Sequence, residues 1–392
     1  MPWAFGLALA MQFVEYFGWV ASPEGKLLDF FLGAGSAAAE TDLPSFVAVE
    51  IDNKDYENCF IYSPMDPRGI KAIADLVGFA QPKVIGVDII TDSPQEDDKI
   101  AYKELPTDRN IVWAAGVEHS TLNDPQTFFD WLTGPQPLAV QPTKVLGEEP
   151  ADAKFEWALP VYPRDEDLHV RRLPRRMIVP PGEEKLSWPS KIAEVYRPTG
   201  VHPAREEAEE LYIARTPRNF EHYKLSDLFT CKPEKRGEIL IRPKSLAEIE
   251  PFLKASNGAI VLIGGTFESA RDYYPTWQGR TSGLEINVNA IAAELAGTVV
   301  SEIAPMHRFL LDMAIGMLIF GIFDFPWKSR SVNLRIAVSL GGIGLALAIA
   351  ATLLYWRRLV WLSAIGIAIG MVLHVLIEIW KEDLQLAENK HD

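Results

Sequence analysis

The sequence predicts an α/β fold, a mostly parallel and doubly wound sheet, joined to a four-helix transmembrane region with one helix before the domain and three after it. Three observations predict it. Residues 259–263 (AIVLI) form an unbroken apolar run rich in β-branched side chains and stopped by Gly264 and Gly265, the pattern of a strand covered on both faces. Two similar runs, 46–52 and 84–90, are separated by a helical pattern, which is the rhythm of a parallel sheet. Apolar segments of about twenty residues, the length a bilayer requires, lie on both sides of this region.

Taken in order, residues 1–21 read as an N-terminal anchor. The stretch 2–21 has no basic n-region, and no small-x-small cleavage site follows it, so it is read as retained. Trp3, Tyr16 and Trp19 suit the interface; Glu15 either reaches water near the surface or makes a buried pair. Residues 22–307 form the folded domain. The run 46–52 is a strand ending in Asp52. Pro67 suits the first position of a helix whose apolar face is Ile70, Ile73, Ala74 and Val77. A strand at 84–90, a helix near 97–104 and a strand at 111–115 continue the alternation.

From 118 to 256 the pattern thins to a short helix at 189–196, a charged segment at 205–215 read as a surface helix, and a strand at 239–241. Arg171, Arg172, Arg175 and Arg176 read as a solvated hairpin edge, charged against unwanted pairing, in preference to an anion site. Leu284, Val288, Ile291, Ala292 and Leu295 recur at helical spacing, and Gly297 closes that helix.

Residues 308–380 read as three further spans, roughly 308–326, 334–356 and 358–380. Gly366 with Gly370, and Gly341, Gly342 and Gly344, offer small faces for close helix packing. His374 and Glu378 read as an interfacial pair beside Trp380 and Lys381. Lys328, Arg330, Arg335, Lys381 and Lys390 fall on one side, against Arg308, Arg357 and Arg358 on the other. That bias places the C-terminal tail, 381–392, in the cytoplasm and the domain outside. The tail is too short to fold alone, so no output domain is expected within the chain.

The net charge is −15 and falls on the domain: residues 308–392 carry 8 basic and 7 acidic side chains, and 1–21 only Glu15. An acidic domain without a basic stripe argues against nucleic acid as a partner. Cys59 and Cys231 are the two cysteines; they are either a disulfide or two unpaired thiols, and neither has a second Cys or His at metal-ligand spacing.

Several of these residues resemble one known family. Val49-Glu50-Ile51-Asp52 resembles its first strand, Pro64 with Pro67-Arg68 its proline-arginine turn, and Lys83–Asp88 its second strand. Val261-Leu262-Ile263-Gly264, Asp272, Thr276, Gly279, Gly283-Leu284-Glu285 and Asn289-Ala290 are similar to its closing signature. The family is the second class of CHASE domain, the extracytoplasmic sensory module of bacterial cyclases and kinases. The resemblance covers most of residues 25–305. It implies one anchor, the sensory domain and three consecutive spans in the inner membrane. Family members usually continue into a cytoplasmic catalytic domain, from which this chain departs.

Asp52 and Asp88 end two predicted parallel strands, and Gly264-Gly265 end a third. Ligands of open α/β sheets sit beside such ends. The carboxylates, with Asp272 and Thr276 from the closing signature, are therefore candidate ligand contacts. Asp52, Asp88 and Asp92, with Asp272, are candidate ligands of a hard cation. The competing reading is that these residues cap helices and fix turns. Asn287 and Asn289 are assigned to helix surface or packing. No G-x-S-x-G elbow, P-loop or H-E-x-x-H is present, so neither catalysis nor a cofactor is expected.

The expected protein is a bilayer-anchored, multi-pass sensor of a small ligand or envelope protein. It would pass its signal to a separate membrane or cytoplasmic partner, with homo- and hetero-oligomers both open. The alternative is a non-catalytic accessory or scaffold subunit of a larger membrane complex.

Overall fold

In a computed structural model the described residues are 2–16, 19, 23, 25–30, 43–60, 65, 67–89, 110–115, 117–121, 138–142, 155–164, 168–179, 182–197, 210–212, 217–233, 239–267, 272–297, 301–303, 305–324, 332–345, 347–349, 351–352, 360–361 and 364–388. Six strands build the central sheet: β1 (Phe46–Ile51), β2 (Val84–Asp88), β3 (Ile111–Ala114), β4 (Phe155–Ala158), β5 (Phe220–Lys224) and β6 (Ile260–Gly265). Their order is β5-β1-β6-β2-β3-β4, and every neighbouring pair is parallel. Among the described residues the longer helices are α1 (Pro2–Tyr16), α2 (Asn53–Cys59), α3 (Pro67–Phe79), α4 (Trp188–Tyr196), α5 (Leu246–Ser256), α6 (Gly283–Ala296), α7 (Pro305–Asp324) and α8 (Ala364–Glu388).

The alternation of side chains along each strand divides the core in two. Val47, Val49 and Ile51 of β1, with Ile85, Val87, Val261 and Ile263, meet Ile70, Ile73 and Val77 of α3 and Phe252 of α5. Phe46, Ala48, Val112, Ile260 and Leu262 point the other way, onto Trp188 and Ile192 of α4 and Leu284, Val288 and Ile291 of α6. A sheet covered on both faces needs strands that are apolar throughout. All six residues of β6, the strand between β1 and β2, are buried. Gly86 permits the close seating of α4: a Cβ there would lie 2.6 Å from Ile192 Cδ1, 2.7 Å from Leu262 Cδ2 and 2.8 Å from Trp188 Cζ2.

After β1 the chain turns through α2 and α3 onto one face; after β6 it turns through α6 onto the other. That is the divergence beside which open α/β sheets hold ligands. Helix α6 starts with Ser282 Oγ accepting from Glu285 N at 3.2 Å and ends at Gly297, whose φ of +63° is the left-handed conformation that glycine adopts without strain.

The structure corrects several expectations outside the sheet. Residues Glu210–Tyr212, within the expected surface helix, form a strand antiparallel to Arg172–Pro174. Ile239–Pro243 is a strand, but it pairs with Phe229–Pro233 in a separate hairpin. The expected helix near 97–104 lies outside the described residues.

Two of the four arginines, Arg171 and Arg175, are buried and not part of a solvated edge, whereas Arg176, 37% exposed in its side chain and paired with Glu184 across an antiparallel hairpin, is. Arg171 is 1% exposed and grips Asp29 through Nε to Oδ1 at 2.7 Å and Nη2 to Oδ2 at 3.0 Å. Arg175 holds Glu294 of α6 through Nη2 to Oε1 at 2.6 Å and Nε to Oε2 at 3.0 Å. Two carboxylates distant in sequence neutralise what reads locally as a basic run.

Cys59, the last residue of α2, is disulfide-bonded to Cys231 in the hairpin strand Phe229–Pro233, with Cα atoms 5.3 Å apart and a sequence separation of 172. By loop-closure entropy such a bridge contributes about 5 kcal/mol to stability.

Among the described residues no helix is long and apolar enough to cross a membrane. Helices α1, α7 and α8 pack together, and α8 also meets the π-helical turn Val338–Ile343 that continues helix Val332–Ala337. Glycines set the spacing of α7 and α8. A Cβ on Gly370 would lie 2.8 Å from Asp312 Oδ1, and one on Gly316 would strike the His374 ring. Positions 312 and 316 therefore face 370 and 374 in the same order, so the two helices run parallel. His374 is 6% exposed within this contact, so it is buried between the helices and not at an interface, while Glu378 bonds Lys381.

Candidate functional site

The strand register places Glu50, Gly264 and Asp88 side by side on β1, β6 and β2. Asp52 lies beyond this row and has a local role. Its Oδ1 accepts from Asp55 N at 2.9 Å, which caps α2, and its Oδ2 accepts from Lys224 Nζ at 3.1 Å. The N–H of Asp55, then Lys224, hold its carboxyl below the usual carboxylate range. With β6 between them, β1 and β2 lie about 9–10 Å apart, and Asp52 and Asp88 do not share a ligand. Asp52 follows the capping reading of the sequence.

Asp88 opens onto a recess built from distant segments. Asn287, in the second turn of α6, donates from Nδ2 to Asp88 Oδ2 at 2.7 Å and to Tyr162 Oη at 2.6 Å. Tyr162 Oη in turn donates to the same Asp88 oxygen at 3.2 Å. Asn287 is 0% exposed, and its Oδ1 has no hydrogen-bond partner among the described residues.

Asp272 enters the recess from the hairpin formed by Tyr273–Thr276 and Gly279–Ser282. Its backbone carbonyl accepts from Gly283 N at 2.9 Å, and its carboxylate lies where a Cβ of Gly283 would be, so the absence of that atom makes room for the charge. The Tyr274 hydroxyl bonds the Asp272 carboxyl. The Tyr162 and Tyr274 rings lie 4.7 Å apart at 33°, and Arg164 Cζ sits 5.4 Å from the Tyr274 centroid.

The electrostatics follow from this enclosure. Burial raises Asp88 to about 6 against the opposing hydrogen bonds of Asn287 and Tyr162. Burial first, and then the charge of Asp88, raise Asp272 to about 8. Burial and the same two carboxylates push the hydroxyls of Tyr162 and Tyr274 well up. Both carboxyls therefore keep their protons to higher pH than exposed aspartates do. The chemistry of such a cluster, carboxyls with an amide and two phenols, suits hydrogen bonding to a polar or charged group.

The remaining sequence candidates serve the scaffold. Thr276 is 4% exposed; its Oγ1 bonds Thr281 Oγ1 at 2.8 Å and accepts from Gln278 N at 3.2 Å, bracing the hairpin that carries Asp272 and Tyr274. A Cβ on Gly264 would lie 2.7 Å from Leu284 Cδ1, and one on Gly265 2.5 Å from the Phe267 ring, so both glycines admit neighbouring side chains. Asp92 lies outside the described residues. Among those residues no three His, Cys, Asp or Glu side chains gather as a metal would require, so the grouping of Asp52 with Asp88 and Asp272 around a cation is not formed.

Tyr162, Tyr274 and Asn287 are the site residues that sequence reasoning missed. Only Asn287 carries a signal: it is a polar residue in a helix whose neighbours, Leu284, Ile286, Val288 and Ala290, are apolar.

A family model described as CHASE2 domain matches residues 4–323. Comparison with curated proteins gave no match, and comparison with solved structures gave none.

Proposed function

From the premise that this chain belongs to the CHASE2 family, an extracytoplasmic sensory domain family, we propose a membrane-anchored sensor that binds a polar ligand in the Asp88–Asp272 recess. It acts by binding, without catalysis, and hands the bound state to a signalling partner at the membrane. The observation that carries this reading is the recess itself: partly accessible carboxylates, a buried amide with an unmet acceptor and paired tyrosines, all beside the strand ends.

Helix α6 connects recognition to the helical region. Asn287 in its second turn touches Asp88 and Tyr162, while Glu294 in its last turn is fixed by Arg175. Two packed states of this helix would carry a shift from the recess toward α7.

The membrane placement rests on an inverted bundle. Leu310, Met317 and Leu318 of α7 and Ile369, Val372, Leu373 and Leu376 of α8 face outward, while Gln12, Asp312, Ser339 and His374 are buried. Apolar residues outside and polar residues inside suit a lipid surrounding. The Cys59–Cys231 bridge agrees with an oxidising, extracytoplasmic compartment.

The test is a thermal-shift screen of the full chain in detergent with small polar metabolites. The reading expects stabilisation by one class and its loss in Asp88→Asn; no stabilisation by any class overturns it.

The scaffold reading draws on Gly341 and Gly342, which are exposed; among the described residues nothing beyond their own helix backbone and chain neighbours lies within 4 Å of a Cβ added to either, and so they offer a face for another helix. Stoichiometric, ligand-independent recovery in a large complex from gentle detergent would favour it.

A further inference from the structure

We infer that the recess takes a compact organic cation bearing N–H donors, of which a primary ammonium group is the type, an inference that rests on the reading of this recess as the ligand site. Asp88 and Asp272 repel each other across the recess, and among the described residues neither has an ion-pair partner. Arg164 faces the ring of Tyr274, 5.4 Å from its centroid, and is exposed.

The amide of Asn287 is oriented by its two donations to Asp88 and Tyr162, which leaves its Oδ1 as an acceptor with no donor at a 0% exposed residue. A buried amide oxygen without a donor is costly, so this atom points independently to a donor-bearing guest. An ammonium group has three donors and no acceptor, and two carboxylates stand here as acceptors, one of them bonded by the same amide that carries the unmatched Asn287 oxygen. The Tyr162 and Tyr274 rings, 4.7 Å apart, add aromatic faces that attract a cation.

Other guests fit less well. An anion would meet two carboxylates. A calcium ion takes six to eight oxygen ligands, whereas no third acidic, His or Cys side chain joins this pair among the described residues. A neutral polyol would leave the charge of the pair uncompensated.

A cation beside the two carboxyls favours their charged forms, so its binding is coupled to proton release.

The experiment is isothermal titration of the full chain in detergent at pH 7, in two buffers of different ionisation enthalpy. The probes are ethylammonium, guanidinium, tetramethylammonium, acetate, glucose and calcium. The expected result is saturable binding of ethylammonium or guanidinium with proton release. Tetramethylammonium, which has the charge without N–H donors, should bind at least tenfold more weakly. Asp88→Asn and Asp272→Asn should each weaken binding at least tenfold. Should Asp272→Asn fail to fold, Tyr274→Phe and Gly283→Ala perturb the same carboxyl from its hydroxyl partner and from its backbone neighbour.

Binding of acetate, glucose or calcium in place of the N–H cations overturns this inference and leaves the sensory reading standing. So does tetramethylammonium binding as tightly as ethylammonium. An N–H cation that binds as expected but leaves cysteine cross-linking between α7 and α8 unchanged keeps the inference and removes the coupling to the helices. No binding by any probe overturns the inference, and the wider metabolite screen then decides the sensory reading separately.

Discussion

Replacing Arg175 by methionine tests whether α6 is held by one buried ion pair. The guanidinium reaches Glu294 through Nη2 to Oε1 at 2.6 Å, Nε to Oε1 at 2.9 Å and Nε to Oε2 at 3.0 Å. The side chains are 4% and 7% exposed, so solvent screens the pair little. Arg175→Met keeps most of the volume and leaves the Glu294 carboxylate buried without its cation, a loss of about 3–5 kcal/mol. At about 2–4 °C per kcal/mol for a domain of this size, the melting temperature should fall on the order of 10 °C. The double variant Arg175→Met/Glu294→Leu removes both charges and should recover most of that loss, because an apolar pair of similar volume is often neutral relative to a buried ion pair. Tryptophan-fluorescence melts of the wild type, both single variants and the double variant close the cycle. A shift below about 2 °C in Arg175→Met would refute the reasoning. So would a double variant as unstable as the sum of the singles, since either result means that the pair is not coupled in a desolvated site.

Four further outcomes are expected. Cys59→Ser/Cys231→Ser should lower stability by about 5 kcal/mol, read as the change in urea midpoint between the oxidised parent and the variant. The carboxyls of Asp88 and Asp272 are raised in the fold above the ordinary aspartate value of 3.8, so the folded state keeps protons that the unfolded chain loses. Their contribution is complete below about pH 4 and declines as pH rises to about 8, at no more than about 1.4 kcal/mol per pH unit for each group. His222, raised by its bond to Glu50, works in the same direction; melts of Asp272→Asn across pH 5–9 should therefore show a shallower decline than the parent. Gly86→Ala forces a methyl group against Ile192, Leu262 and Trp188 and should cost about 1–3 kcal/mol in chemical denaturation. Asp52→Ala removes the cap of α2 and should cost about 1 kcal/mol, while leaving the Asp88 recess and any ligand affinity unchanged.

What the sequence discloses divides by the range of the interaction. The strands 46–51, 84–88 and 260–265 are legible because burial on both faces demands continuous apolar runs, and a short window shows them. Asp88 is legible as a carboxylate at a strand end. Its neighbours are not: Tyr162 lies 74 positions away and Asn287 199, and no local pattern marks either as facing an aspartate. Asp52 is the contrasting case, since a strand-end Asp followed three residues later by Asp55 is also a capping sequence, and that local bond forms.

Arg171 and Arg175 mislead for the same reason that Tyr162 is hidden. Four arginines in six residues suggest an exposed edge until Asp29 and Glu294 arrive from 142 and 119 residues away. The segment at 205–215 shows the limit of composition: its charge suggests a surface helix, yet Glu210–Tyr212 finds an unpaired strand, Arg172–Pro174, and tertiary pairing overrides propensity.

The bond between Cys59 and Cys231 has a topological effect apart from its energy. It closes the backbone between those positions into a covalent ring that contains β2, β3, β4 and β5. A protease that nicks this ring once releases no fragment; the polypeptide opens but stays a single molecule until a reductant reaches the sulfurs. A single proteolytic cut would then leave the two pieces joined, and it would show only after reduction, as two bands where one had been.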